Sequence, residues 1–174
     1  MNKVFLNNSV RLSFKSFLRD TSMTECYACN LANGIENLIG GLIAETKLWR
    51  VEHCMGSLGV GTMIVKPKRH VLHVWELSEP EAKEMGLILK EASRVLKAIT
   101  DCDQTYICLW SHAGWTPGHI HYVVQPAYNS QKEQFSNPGP ALQIEMFAKK
   151  EPLVVSEVEA FCEKARTVFS ITNL

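Results

Sequence analysis

Cys26 and Cys29 are separated by two residues, and His119 and His121 by one. A Cys-x-x-Cys pair lets two thiolates reach one tetrahedral ion from a single tight turn, and zinc is the usual occupant. One such pair is half a site. No second pair of that spacing follows, so on this reading the missing ligands are histidines, with His70, His73, His119 and His121 as candidates. Two other readings stay open: redox chemistry, for which a thioredoxin-like context is lacking, and two incidental buried thiols. In an extended chain successive side chains alternate faces, so His119, His121, Val123 and Gln125 point one way while Ile120, Tyr122 and Val124 point into the core. Two imidazoles then stand side by side, an arrangement also found incidentally on exposed strands. The preceding loop favours chemistry. Its Gly114, Thr116 and Gly118 let backbone amides and a hydroxyl approach an anionic group closely.

These residues must be positioned by neighbouring elements. The run LIAETKLWRV from Leu42 to Val51 and TMIVK at 62–66 read as two strands joined by a Gly-rich turn. Ser78 and Glu81 form a capping box, behind which Ala82, Met85, Leu89, Ala92, Leu96 and Ile99 recur at steps of three and four. That spacing predicts a long amphipathic helix to about Ile99. TYICLW at 105–110 and HIHYVVQ at 119–125 are again strand-like, giving the order strand, strand, helix, strand, strand. A second capping box, Ser156 with Glu159, predicts a final helix near 156–169 with Val158, Phe161, Ala165 and Val168 on one face. The Pro- and Gly-containing stretch 126–140 reads as a link. The expected fold class is α+β, an antiparallel meander sheet with a long helix on one face and a C-terminal helix.

A chain of 174 residues is the size of one domain with an added tail. Residues 1–22 read as an N-terminal extension, a disordered segment or an early start before Met23; residues 23–128 read as the domain and 129–174 as a C-terminal extension. Lys and Arg number 18 and balance 18 Asp and Glu, so no global field draws in nucleic acid or anionic membrane. No apolar run approaches the roughly 18 residues of a spanning helix. Six cysteines, of which only Cys26 and Cys29 form a tight motif, do not make a secreted disulfide framework. The expected compartment is the cytoplasm.

Four blocks, CYACNLANG at 26–34, TMIVKPKRHV at 62–71, the helix behind ELSEPEA, and GWTPGHIHYVVQP at 114–126, together resemble the histidine triad (HIT) superfamily over roughly residues 24–128. The family's central motif alternates three histidines, then two apolar residues and often a proline. With His119 first, Thr116 and Pro126 fall where the family keeps a Ser or Thr and its proline, His121 becomes the central nucleophile, and Val123 replaces the third histidine. In relatives carrying Cys-x-x-Cys the resemblance implies a structural zinc on Cys26, Cys29, His70 and His119. His73 is then a surface or supporting residue, and His53 and His112 carry no chemistry.

The resemblance further implies attack by His121 on the α-phosphorus of a nucleotide, with Gly118, Thr116 and His121 holding phosphate, Thr116 assisting the leaving group, and a homodimer. A covalent nucleotidyl-histidine would then be resolved by water or another acceptor. Two departures bear on this. Valine cannot hydrogen-bond phosphate, and the position where relatives hold ribose with Asp falls near Cys54, in the run EHCMG, with Glu52 within an alignment slip of it. Lys66, Lys68 and Arg69 read as a solvated strand end rather than a phosphate contact, and Trp110 and Trp115 as either core or base-stacking residues. The function expected is a nucleotide hydrolase, phosphoramidase or nucleotidyl transferase. The alternative is a zinc-stabilised nucleotide-binding or regulatory protein, and a DNA-end-processing relative similar to aprataxin fits the neutral charge least.

Overall fold

The structure is a computed structural model that describes residues 26–111 and 118–170. The N-terminal extension 1–22, Met23, and the loop residues His112, Gly114, Trp115 and Thr116 lie outside the described residues. Among the described residues no helix is long and apolar enough to cross a membrane.

The chain opens with a short helix, α1 (Tyr27–Ala32), followed by strands β1 (Leu42–Glu45), β2 (Trp49–His53) and β3 (Met63–Pro67). The long helix α2 (Glu79–Thr100) leads to β4 (Gln104–Trp110) and β5 (His121–Ala127), and two helices finish the chain, α3 (Pro140–Lys149) and α4 (Val155–Val168). The result is an α+β fold on one five-stranded antiparallel sheet of order β1-β2-β3-β5-β4. The first three strands form a meander. The α2 crossover then sends β4 to the edge, and β5 returns between β4 and β3.

Three sequence expectations change here. The run Leu42–Val51 is a hairpin rather than one strand, because Thr46 Oγ1 accepts the amides of Leu48 (3.1 Å) and Trp49 (2.9 Å) and closes a turn in its middle. Asn129–Glu133 is a 3₁₀ turn and α3 a full helix, where the sequence suggested only a link up to 140. The final helix starts at Val155, with Val154 rather than Ser156 at its N-cap.

Alternation along the strands sorts the residues onto two buried faces. On the first, Trp49, Val51, Met63, Val65, Tyr122 and Val124 pack under both α2 and α4. From α2 come Ile88, Ala92, Val95 and Leu96, a stripe shifted toward Val95 from the one expected, with Ala82 exposed. From α4 come Val158, Phe161, Cys162 and Ala165. The C-terminal segment is thus part of the main core, and a Cβ at Gly40, ahead of β1, would lie 2.5 Å from Cys162 Sγ. Full burial of such side chains stabilises by about 1.5–3 kcal/mol each. On the second face, α3 lays Met146 against Val123 and Leu142 against Ala127.

The Ser78 capping box is present: the Ser78 amide donates to Glu81 Oε2 at 2.7 Å and Ser78 Oγ accepts from the Glu81 amide at 3.4 Å. Arg69 donates to the same carboxylate at 2.9 Å, which binds the chain just after β3 to the start of α2. That guanidinium, aided by the Ser78 bonds, holds Glu81 down to about 2.

Candidate metal centre and catalytic strand

The N-terminus of α1 carries Cys26 and Cys29, His70 follows β3, and His119 lies two residues ahead of the start of β5. Their ligand atoms all lie within 4.8 Å of one another. His119 Nδ1 is 3.5 Å from Cys29 Sγ and 3.8 Å from Cys26 Sγ, and His70 Nδ1 is 3.3 Å from Cys29 Sγ. Zinc–sulfur and zinc–nitrogen bonds of ordinary length meeting at a tetrahedral angle set a sulfur–nitrogen edge of about 3.6 Å. The four donors therefore fit one tetrahedral ion, and their softness suits zinc. Among the described residues this is the one such cluster.

The electrostatics agree with that fit. The His119 Nε2–H donates to the Pro67 carbonyl at 2.9 Å, which places the ring's lone pair on Nδ1, facing the thiols. Burial drives His119 down to about 4, so it is neutral at physiological pH, the form a metal requires. Arg69 and Glu81 fix the backbone beside His70.

His121 stands at the first position of β5, paired across the strands with Trp110. Its Nδ1–H donates to the His119 carbonyl at 2.9 Å, which puts the neutral ring's lone pair on Nε2. The ring borders a cavity of about 380 Å³ shared with Gly118, His119, Cys54 and Val123 and covered by Phe147 of α3. A nitrogen base with a fixed tautomer, at the edge of a ligand-sized cavity, can attack an electrophile or take a proton.

The structure brings Cys26, Cys29, His70 and His119 together and sets His121 and Gly118 beside them; Thr116 lies outside the described residues. His73 takes no part. It precedes a 3₁₀ turn at Val74–Glu76 and stacks on Trp75 at 4.3 Å. His53 is wholly buried on the other face, donating from Nδ1 to the Cys54 carbonyl (2.7 Å) and accepting from the Gly61 amide at Nε2 (2.9 Å).

One reading of a single residue is corrected. Lys66 is no solvated strand end: it is 1% exposed and paired at 2.5 Å with Glu52, itself 3% exposed. Strand alternation puts Lys66 on the face of Ile64, opposite Arg50 in the ladder, and its burial comes from long-range partners, the Ala28 carbonyl and Glu52. Val123 is buried among Cys54, Leu58, Ile64, Trp110 and Met146. Trp110 donates from Nε1 to Gln143 Oε1 at 3.2 Å and meets the Phe147 ring edge-on, so it serves the covering helix.

No family model and no curated protein matches the sequence. Solved structures do match. A hypothetical histidine triad nucleotide-binding protein from Sulfolobus tokodaii superposes with a TM-score of 0.64 at 17% identity, covering 83% of this chain and 91% of its own. A zinc-bound histidine triad family protein from Mycobacterium smegmatis gives a TM-score of 0.61 at 18% identity, covering 84% and 94%. A HIT-like protein from Bartonella henselae, described as involved in cell-cycle regulation, gives 0.62 at 10%, covering 81% and 93%. The fold of this chain is therefore that of histidine triad proteins.

Proposed function

We propose that this chain is a histidine triad protein of the zinc-holding branch that acts on nucleotides, with His121 as nucleophile toward the α-phosphorus. The observation that carries the reading is the bond from His121 Nδ1 to the His119 carbonyl, because it presets the tautomer an attacking imidazole needs. The Sulfolobus neighbour, described as nucleotide-binding, supports the substrate class. Cys26, Cys29, His70 and His119 would hold zinc, which with four protein ligands has a structural role and fixes the turn that enters β5.

In the reaction His121 Nε2 forms a bond to phosphorus as the bond to the leaving group breaks. Amides around Gly118 and His119 meet the charge on the equatorial oxygens, Thr116 donates to the departing group, and water or another acceptor then displaces the imidazole. The bond broken is a phosphoramidate or phosphoanhydride. A cytoplasmic homodimer belongs to the same reading: β4 is a sheet edge with Ile107 and Leu109 each more than two-fifths exposed, and none of the six cysteines is in a disulfide.

Val123 favours a second reading. A buried valine under Met146 offers phosphate no hydrogen bond, which fits a nucleotide-binding protein with weak or lost turnover. Incubation of wild type and His121→Ala with an adenosine phosphoramidate and a diadenosine polyphosphate separates the two. Release of nucleoside monophosphate that falls at least about 10³-fold in the variant supports the enzyme. Equal, slow release by both proteins, with nucleotide still bound, leaves the binding reading standing.

A further inference from the structure

The cavity beside His121 is walled mainly by apolar side chains, yet Glu52 and Lys66 form part of its lining. Lys66 Nζ donates to the Ala28 carbonyl of α1 at 2.9 Å and to Glu52 Oε1 at 2.5 Å, which uses two of its three protons. Among the described residues nothing partners Glu52 Oε2, although it is shut off from solvent. An ion pair taken out of water is often no more stabilising than two packed apolar residues, and an unmatched carboxylate oxygen adds a desolvation cost. One remaining ammonium proton and the carboxylate's unused lone pairs, including an Oε2 with no partner among the described residues, suit a ligand that completes them.

The pair carries no net charge, so it adds nothing to the attraction of phosphate, and its role is hydrogen-bond matching. Its position says which part of a nucleotide it meets. Glu52 pairs with Ile64 across the sheet, and Ile64 pairs with Val123 on the strand of His121. Two strand spacings separate the carboxylate's backbone from the catalytic strand, about 10 Å, which is the reach of a nucleoside from its phosphorus to the far edge of its base. Tyr27 and Leu31 of α1 line the same cavity and offer apolar surface to the faces of a base.

We propose that Glu52 and Lys66 read the pairing edge of guanine, so that the nucleotide taken at this site is a guanine nucleotide. This rests on the nucleotide reading above. Guanine presents two adjacent donors, N1–H and the 2-amino group, to a carboxylate, and beside them the O6 acceptor to the remaining ammonium proton. Adenine and cytosine place an unprotonated ring nitrogen where guanine has N1–H, against the carboxylate. A buried carboxylate left facing an acceptor discriminates strongly, because both groups stay unmatched.

The test is titration of the zinc-loaded full chain with GMP, IMP and AMP. The expected result is GMP at least about 10-fold tighter than AMP, with IMP, which lacks the 2-amino group, between them. In Glu52→Gln the preference falls to within about 2-fold. The double variant Glu52→Leu with Lys66→Met, which replaces the pair by apolar side chains and is expected to melt no lower than wild type, loses the preference as well. Equal affinity of wild type for GMP and AMP overturns the proposal, as does a Glu52→Gln effect that weakens both nucleotides by the same factor. Binding of none of the three nucleotides overturns the nucleotide reading itself, and this proposal with it.

Discussion

His121 donates a hydrogen bond of 2.9 Å to the backbone carbonyl of His119, while the His119 ring is tied by Nε2–H to the Pro67 carbonyl at 2.9 Å. One short segment thus fixes two imidazoles in opposite senses, Nδ1 presented to the thiols by the first ring and Nε2 left as the base position by the second. Whatever immobilises the His119 backbone also aims His121.

Metal loading is the first measurable consequence. The protein as purified is expected to contain close to one equivalent of zinc, and Cys29→Ser to lose most of it, because Cys29 Sγ lies near both histidine donors. Chelation or this substitution should lower the melting temperature by about 10 °C or more, since the ion joins α1, the end of β3 and the start of β5. Elemental analysis with thermal melting decides; a chain that melts unchanged after exhaustive chelation contradicts the assignment.

Acid sensitivity is expected at Glu81. Its carboxyl is held down to about 2 by Arg69 and the Ser78 bonds, against an ordinary 4.5. A folded-state value below the unfolded one contributes stability that is fully present above the unfolded value and is lost as pH falls through the folded one. Because Arg69 is half exposed, solvent screens the pair, and Glu81→Gln should cost only about 1–2 kcal/mol at neutral pH. The gap between wild type and variant should shrink below pH 4.5 and close near pH 2, as followed by denaturant titration across pH. A gap independent of pH would assign the effect to packing instead.

Val123→His restores the triad's third side chain on paper but places an imidazole in a dry cluster under Met146. We expect a loss of about 1–3 kcal/mol in chemical denaturation and no gain in turnover. Increased turnover would show that α3 can move off this face.

Phe161→Ala tests whether residues beyond 128 are an appendage. Phe161 packs in the main core and meets His53 edge-on at 5.7 Å, so the substitution should cost about 3–5 kcal/mol. A change under 1 kcal/mol would instead mark α4 as loosely attached.

Features that depend on local spacing were legible in the amino-acid order alone. Two thiols one turn apart, a capping box before a helical period, and alternation around His119 and His121 each have a geometric meaning within a few residues of chain. The α+β class, the long helix and a site of two thiols completed by two of four candidate histidines followed from these; the choice of His70 and His119 came from the resemblance to the histidine triad superfamily. The hairpin in Leu42–Val51 was hidden because the run alternates on both sides of Thr46, whose hydroxyl accepts the turn amides. Long-range packing was needed to place α3 over the histidine face, α4 in the main core, and Lys66 beside Glu52. Whether a lysine near a strand end is solvated or buried, and whether a valine faces water or a methionine, is set by segments many residues away, and no local periodicity encodes what lands on top.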